Sequence, residues 1–386
     1  MRSNTDEGSM IYLNHAGTSW PPPNCVQAAV MEAMAISPQQ WGERFERGHR
    51  AVCKFFGVGD PDRLLLTPGC TSSLAVGIEG ADVAAGRRVL TSRWEHHAVD
   101  GPLRRLTDRG VMVDRMAVGG DSPVDLSSME RSLADATVDL VVFTAACNVT
   151  GDLLPFDSMI ELSHRYGAMV LMDAAQIVGW VDLDLESLGA DLVAFGGHKG
   201  LQGPWGIGGL YMADSARMKC AEAICALPPP SGFNVESAIK PASGSRPGYC
   251  DVGSVDRYAL AGLESALRWL GESDRKDDLA VARRQAGDIE RMLRSSSKVT
   301  LFSQSAWQRR LPTIAFSIDD QSSGETAVQL EQAGLIVGSG LQCSPQSHQQ
   351  LSTSDTGLVR ISIGVRQPEA EIEEAADRLK RVLDAL

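Results

Sequence analysis

The sequence predicts an α/β protein with a mostly parallel sheet and a second, smaller α/β domain. Short apolar runs of the length of buried strands recur along the first half of the chain. Helix-like segments separate these runs, and connections of that length join parallel strands. The chain has 386 residues, which is too many for one small core, so we expect two domains.

Six apolar runs are the predicted strands of the larger domain. They lie at Arg88–Thr91, Val111–Val118, Leu140–Ala145, Ala168–Met172, Leu192–Phe195 and Gly208–Met212. Between them, a capping box at Ser127–Glu130 predicts a helix over Ser128–Ala136. A second helix is expected over Asp157–Tyr166, where Gly167 ends it.

The pattern changes after about residue 215, where a second unit is expected. Leu227–Arg246 is rich in Pro, Ser and Gly and predicts an irregular connection. Beyond it, the expected helices are Leu260–Gly271, Asp278–Leu293, Glu325–Gly334 and Glu369–Leu386, with strands at Thr313–Ile318 and Leu358–Val365. We therefore expect an N-terminal segment (1–24) that packs on the small domain, a large domain (25–255) and a small domain (256–386).

Composition excludes several classes of function. The formal net charge of −13 argues against the basic surface that nucleic acids or acidic membranes require. No stretch approaches the roughly 18 apolar residues of a membrane span, and the first residues show no signal pattern. A cytoplasmic location is the expectation. The eight cysteines include no C-x-x-C pair, so we expect reduced thiols and no metal site.

Lys199 is the first candidate for chemistry. It follows a strand run and lies within glycines, in the segment Leu192–Leu210. Such glycines would let backbone approach a ligand closely, and a lysine that forms a Schiff base needs a rigid, desolvated position. A glycine-rich turn with an exposed lysine would show the same pattern.

Asp173 favours a Schiff-base role for Lys199 over an exposed lysine in a glycine-rich turn. It directly follows a buried strand run, where an unpaired carboxylate costs several kcal/mol. A protonated pyridine nitrogen of pyridoxal 5′-phosphate (PLP) is a suitable partner, because the charged ring is the better electron sink. Gln176, three residues on, is placed to reach the phenolic oxygen of the same ring. An ordinary helix-capping aspartate is the alternative.

Further candidates follow other predicted strands or occupy loops. Cys70 and Thr71 open a helix-like run after a glycine, which suits a phosphate. His96 is placed to lie over a flat ring. Cys343 lies in a loop and is expected to be accessible, and thus a possible nucleophile rather than an inert buried thiol. Arg360, within an apolar strand, needs an anion, either a substrate carboxylate or a neighbouring acid.

Together these segments resemble the cysteine desulfurase and selenocysteine lyase branch of the class V aminotransferases. The resemblance spans nearly the whole chain, through motifs that occur in the family's order. They are YLNHAGTSWP, TPGCTSS, EHHAV, CNVTG, MDAAQ, GHKGLQGP, GLQCSP and VRISIG.

The resemblance implies fold type I, a homodimer and PLP as the cofactor. It implies Lys199 as the Schiff-base lysine, Asp173 as the pyridine partner and His96 as the residue stacked on the ring. The resemblance also implies that Gln176 contacts the phenolic oxygen and that Cys343 takes up sulfur. The implied contacts to the phosphate are Cys70, Thr71, His198 and, from the neighbouring subunit, Ser254. The implied contacts to the substrate carboxylate are Asn148 and Arg360.

The implied reaction converts L-cysteine to L-alanine. Lys199 moves the α-proton, the Cys343 thiolate takes the sulfur as a persulfide, and a protein or small-molecule acceptor must then collect it. Several positions depart from the family pattern. Gly338 and Gln342 replace an Arg and a His near the thiol, His15 replaces an Asn or Asp, and Gly196 stands where a phosphate-binding Ser is common. Alternatives are a PLP-dependent C–S lyase, a transaminase, or a scaffold without turnover.

Overall fold

The computed structural model describes residues 10–120, 122–214, 216, 255–303 and 305–385. Its strands are β1 (Ile11–Tyr12), β2 (Leu64–Thr67), β3 (Arg88–Thr91), β4 (Met112–Arg115), β5 (Val138–Thr144), β6 (Met169–Asp173), β7 (Leu192–Gly196), β8 (Gly208–Met212), β9 (Val299–Phe302), β10 (Thr313–Ile318), β11 (Leu335–Ile336) and β12 (Val359–Ser362). Its helices are α1 (Asn24–Met34), α2 (Trp41–Phe55), α3 (Cys70–Gly80), α4 (His97–Asp108), α5 (Leu126–Asp135), α6 (Phe156–Arg165), α7 (Leu185–Leu188), α8 (Arg257–Leu270), α9 (Arg275–Arg294), α10 (Ser323–Gln332), α11 (Pro345–Leu351) and α12 (Glu369–Asp384).

A seven-stranded sheet forms the centre of the fold, in the order β2-β8-β7-β6-β5-β3-β4. Strands β3 to β7 pair in parallel, whereas β8 runs antiparallel to both of its neighbours. The expected mostly parallel α/β fold is confirmed, with all six predicted strands in place. The sequence interpretation missed β2, a four-residue strand that is too short for its periodicity to be recognised.

The continuous apolar runs are explained by burial on both faces of this sheet. In β5, Val141 and Phe143 belong to the core on one face, and Leu140 and Val142 to the core on the other. All four side chains are fully buried. Because successive strand residues point to opposite faces, a strand covered by helices on both sides has no polar alternation.

The start of α5 differs from the expectation. Asp125, not Ser127, caps this helix, and its carboxylate accepts hydrogen bonds from the backbone N–H groups of Ser127 and Ser128. The predicted capping box is therefore wrong, because a capping carboxylate precedes it by two residues. The end of α6 agrees with the expectation, since Gly167 has a left-handed φ of 76° two residues after the helix.

The C-terminal part forms a three-stranded antiparallel sheet in the order β12-β10-β9. Helices α9 and α10 pack against this sheet, α12 packs against both of these helices, and β1 pairs in parallel with β11. The division into residues 1–24, 25–255 and 256–386 stays a prediction, and the expected connection Leu227–Arg246 lies outside the described residues. Within the described part, no helix combines the length and apolarity needed to cross a bilayer.

Candidate functional site

A cavity of about 510 Å³ lies where the parallel strands of the large sheet end. Ten of the twelve site residues expected from the sequence line it, and they are Cys70, Thr71, His96, Asn148, Asp173, Gln176, His198, Lys199, Cys343 and Arg360. His15 lines a separate, smaller cavity that also borders Lys199. Ser254 lies outside the described residues. The placement agrees with the rule that ligands bind beyond the carboxyl ends of such strands.

Lys199 follows β7 in a turn that is held by its backbone. Its carbonyl oxygen accepts hydrogen bonds from the Ser19 hydroxyl and the Gln202 backbone N–H, each at 2.8 Å. Burial lowers the pKa of the Lys199 ammonium, and the Asp173 carboxylate opposes that change. A lysine with a lowered pKa supplies the neutral amine that a nucleophile or a base requires.

Two of the glycines around Lys199 serve backbone packing. A Cβ on Gly208 would lie 2.5 Å from the Phe195 carbonyl oxygen, where β7 and β8 meet. A Cβ on Gly200 would overlap the Val178 carbonyl oxygen. These glycines therefore let neighbouring backbone segments approach each other, and in this way they hold the lysine turn rigid.

Asp173 ends β6 as a buried carboxylate on the cavity wall. Its Oδ1 accepts a hydrogen bond from the Ala175 backbone N–H at 2.9 Å and from the Cys70 thiol at 3.4 Å. Burial raises its pKa, and the Lys199 ammonium opposes that change. With Oδ1 engaged, Oδ2 is left for a donor within the cavity, which suits a protonated ring nitrogen.

His96 caps α4, and its Nδ1 accepts a hydrogen bond from the Ala98 backbone N–H at 3.1 Å. Burial, Lys199 and His97 lower its pKa to about 3, so the imidazole is neutral. Glu95, which precedes it, is fully buried. The Glu95 carboxylate accepts hydrogen bonds from Ser92 and Thr144, and burial raises its pKa to about 8.

Arg360 projects from β12 into the cavity and is fully buried at its charged end. Its Nη1 donates to the Asn148 carbonyl oxygen at 2.6 Å, and its Nη2 donates to Asn14 Oδ1 at 2.8 Å. Burial lowers its pKa to about 10, and none of the described carboxylates pairs with it. The alternative of a structural salt bridge is therefore not supported, and the cation is left for an anionic ligand.

Asn14 is a site residue that the sequence interpretation missed. Its side chain occupies the space beside Gly338, where a Cβ would lie 2.8 Å from Asn14 Oδ1 and 3.3 Å from Arg360 Nε. A larger residue at position 338 would therefore require the Asn14 side chain to move. The signal was present in the sequence, because Asn14 belongs to the opening motif YLNHAGTSWP.

Cys343 lies at the cavity in a loop that is held on both sides. The Asn148 amide donates to the Gln342 carbonyl oxygen at 2.8 Å, and the Ser344 hydroxyl donates to Asn148 Oδ1 at 2.6 Å. Gln342 and Cys343 both have left-handed φ values, 40° and 59°. The thiol is exposed. The Asn148 side chain, expected to bind a substrate carboxylate, is thus engaged with this loop.

The remaining expected residues contact the N-terminal segment. His198 Nδ1 lies 3.0 Å from both the Thr18 hydroxyl and the Trp205 indole nitrogen. Gln176 donates to the Ala16 carbonyl oxygen at 3.0 Å. Neither ring nitrogen of His15 has a partner among the described residues, and burial lowers its pKa to about 4.

The large sheet is open and mostly parallel, with a lysine after one strand and a buried carboxylate at the end of the neighbouring strand. These features define an enzyme of fold type I, the fold of PLP-dependent transferases. The aminotransferase class-V profile matches residues 11–374. The chain therefore belongs to the class-V aminotransferase family.

The similar proteins carry consistent names. The chain is 27% identical to a probable cysteine desulfurase 2 of Mycobacterium leprae, covering 97% of this chain and 92% of the relative. It is 28% identical to a cysteine desulfurase of Cereibacter sphaeroides, covering 87% and 84%. The crystal structure of cysteine desulfurase CsdA from Escherichia coli has a TM-score of 0.84 at 21% identity, covering 98% and 95%. A C-DES structure with glycine covalently linked to its PLP cofactor has a TM-score of 0.79 at 20% identity, covering 97% of each chain.

Proposed function

We propose that this enzyme is a PLP-dependent cysteine desulfurase, which converts L-cysteine to L-alanine and takes up the sulfur as a persulfide on Cys343. The observation that carries the proposal is the exposed Cys343 thiol at the same cavity as Lys199, Asp173 and Arg360. The relatives named cysteine desulfurase, although only 24–28% identical, support it.

The residues of the cavity fit the cofactor. Asp173 offers a carboxylate oxygen for the pyridine nitrogen, His96 offers a neutral ring, and Lys199 offers the amine for covalent attachment. The first turn of α3 opens on the cavity with Cys70 and Thr71, where free backbone N–H groups favour a phosphate. His198 and Gln176 complete the proposed set, to which the family resemblance adds Ser254 of the neighbouring subunit.

The residues of the chain then divide the work. PLP, when bound, supplies an electron sink for the electron pair released at the substrate α-carbon. Arg360 binds the substrate carboxylate, with Asn148 and His15 nearby, and orients the amino acid. Lys199 takes the α-proton, as its lowered pKa favours. Cys343, as thiolate, attacks the substrate sulfur: an S–S bond forms, the substrate Cβ–S bond breaks, and its electron pair stays on the carbon skeleton that is protonated to alanine.

The test compares purified holoenzyme with its Cys343→Ala variant, given L-cysteine and a thiol reductant. Cys25→Ala is the matched control, because Cys25 is also an exposed free thiol but lies on α1. We expect alanine and sulfide from the wild type and the control, and loss of both products in Cys343→Ala with the cofactor absorbance retained. Unchanged alanine formation by Cys343→Ala would refute the proposal.

A C–S lyase is the second candidate function. Gly338 and Gln342 favour it, because they remove an Arg and a His that related sequences have near the thiol. Pyruvate and sulfide from both the wild type and Cys343→Ala would identify this activity, since a lyase does not need the thiol. A scaffold without turnover is disfavoured by the joint presence of Lys199, Asp173 and Arg360 at one cavity.

We also propose a homodimer, a persulfide acceptor and a cytoplasmic location. Large apolar side chains are exposed on α1 (Met31 and Met34), at the start of α8 (Tyr258) and beside the cavity (Trp205), as a subunit interface requires. The described cysteines are all free thiols, which fits a reducing compartment. Sedimentation of the holoenzyme tests the dimer.

A further inference from the structure

His97 lies against Cys343 and has no role in the proposed function so far. Its backbone N–H donates to the Cys343 carbonyl oxygen at 2.7 Å, and its Nδ1 lies 3.3 Å from the same oxygen. One ring nitrogen each of His96 and His97 and the Cys343 sulfur lie within 4.8 Å of one another. The His97 side chain is exposed. An imidazole is therefore held beside the thiol.

The contact with the carbonyl oxygen assigns the tautomer of His97. A carbonyl oxygen only accepts hydrogen bonds, so the Nδ1 beside it carries the proton in the neutral ring. The lone pair is then on Nε2, which is free to accept a proton. A histidine whose Nδ1–H is fixed by an acceptor is the usual arrangement of a general base.

The other titratable groups around the thiol are less suited to this task. The Nδ1 lone pair of His96 is used by Ala98, and the pKa of His96 is lowered to about 3. Arg360 is a cation and acts on the thiolate through its charge. Lys199 is needed at the substrate α-carbon.

The residue that precedes the thiol is also occupied. Gln342 Nε2 donates to the Leu358 carbonyl oxygen at 2.6 Å, and its Oε1 lies 3.0 Å from His348 Nε2. His348 is buried and is itself tied to the Thr353 hydroxyl at 2.8 Å. Neither side chain is free to accept the thiol proton, so the histidine missing at position 342 is not replaced from this side.

We propose that His97 is a catalytic residue that removes the proton from the Cys343 thiol, an inference that rests on the proposed function. The S–H bond breaks, its electron pair stays on sulfur, and an N–H bond forms at His97 Nε2. The thiolate then attacks the substrate sulfur. His97 thereby supplies from the start of α4 the base that the loop itself lacks.

The first experiment measures alkylation of Cys343 by iodoacetamide in the holoenzyme without substrate, as a function of pH. The exposed Cys25 of the same molecules is the internal reference, quantified in parallel by peptide mass spectrometry. In His97→Ala we expect the alkylation rate of Cys343 near neutral pH to fall at least about tenfold. The increase of this rate with pH is expected to begin at a higher pH than in the wild type. The rate at Cys25 stays unchanged. An unaltered Cys343 rate and pH profile would overturn the proposal.

The second experiment uses chemical rescue during turnover. His97 is exposed, so His97→Ala leaves space for free imidazole, and every variant retains the backbone hydrogen bond to the Cys343 carbonyl oxygen. Imidazole is expected to restore both alkylation and alanine formation in His97→Ala. The matched control His164→Ala, an exposed histidine of α6 paired with Asp191, is expected to match the wild type in both assays. Loss of activity in His97→Ala that imidazole fails to restore would contradict proton removal.

The two proposals fail in different ways. Alkylation needs no amino acid substrate, so it tests the role of His97 separately from the reaction. If Cys343 is alkylated more slowly in His97→Ala but the wild type forms no alanine from L-cysteine, the desulfurase assignment is refuted and His97 is still supported as the proton acceptor. If the wild type forms alanine and Cys343 alkylation is unaltered in His97→Ala, the desulfurase assignment is supported and the role of His97 is refuted.

Discussion

Removing the Ser344 hydroxyl tests whether the Cys343 loop must be held for sulfur transfer. The side chain is fully buried, and it donates to Asn148 Oδ1 at 2.6 Å. The Ser344→Ala change deletes this hydrogen bond yet leaves the Asn148 amide on the Gln342 carbonyl oxygen. Of the groups proposed to bind substrate or cofactor, it touches only Asn148.

The expected magnitude follows from the bonds that hold the loop. One buried hydrogen bond contributes about 1 kcal/mol, while each non-glycine residue in a left-handed conformation costs about 1–3 kcal/mol. Gln342 and Cys343 both bear that cost. Loss of one of the two Asn148 bonds therefore allows the loop to relax by about 1 kcal/mol, which corresponds to a roughly fivefold lower population of the reactive geometry. Asn148→Ala, which removes both bonds, is expected to lower it by roughly thirtyfold.

The assay is single-turnover persulfide formation at saturating L-cysteine, with hydrogen exchange of residues 339–344 as the measure of loop order. We expect the single-turnover rate constant to fall in the order wild type, Ser344→Ala, Asn148→Ala, while hydrogen exchange in the loop rises in the same order. The control is Ser132→Ala, a half-buried serine of α5, a helix that contributes no residue to the cavity lining. A Ser344→Ala enzyme with faster loop exchange and wild-type persulfide formation would refute the reasoning.

Three further predictions concern the core of the site and the sheet. Glu95→Gln should flatten the pH dependence of the free energy of unfolding. Burial raises the pKa of Glu95 to about 8, so the wild type loses stability as the pH rises from the unfolded pKa near 4.5 to about 8. Urea denaturation at several pH values measures this loss. A wild type whose stability is constant over that range would contradict it. Arg360→Lys should raise KM for L-cysteine by about tenfold to a hundredfold with the cofactor absorbance unchanged, because two guanidinium hydrogen bonds are lost; an unchanged KM would exclude the carboxylate role. Gly208→Ala should destabilise the fold by about 2 kcal/mol or more, because its Cβ would lie 2.5 Å from the Phe195 carbonyl oxygen. The control is Gly42→Ala, whose Cβ would meet no atom within 4 Å and which should be neutral or stabilising. Thermal melts of both variants measure the difference.

Much of the large sheet could be predicted from the sequence, because its strands are buried on both faces. A strand such as β5 then reads as an unbroken apolar run, and the chain following it must carry the polar groups of the cavity. The weaker predictions concern boundaries. Asp125 displaced the expected capping box of α5, since several nearby polar side chains compete to cap one helix.

The sequence by itself determined the fold class and ten of the residues that line the cavity, because strand ends and motif order are local properties of the chain. Only the tertiary structure decided how these residues are used. Asn148 holds the Cys343 loop, Asn14 fills the space beside Gly338, and His97 contacts the Cys343 carbonyl oxygen across 246 positions of sequence. Such contacts join segments that are far apart in the chain, and their distances depend on how the β12 and α4 regions pack together, which no local pattern encodes.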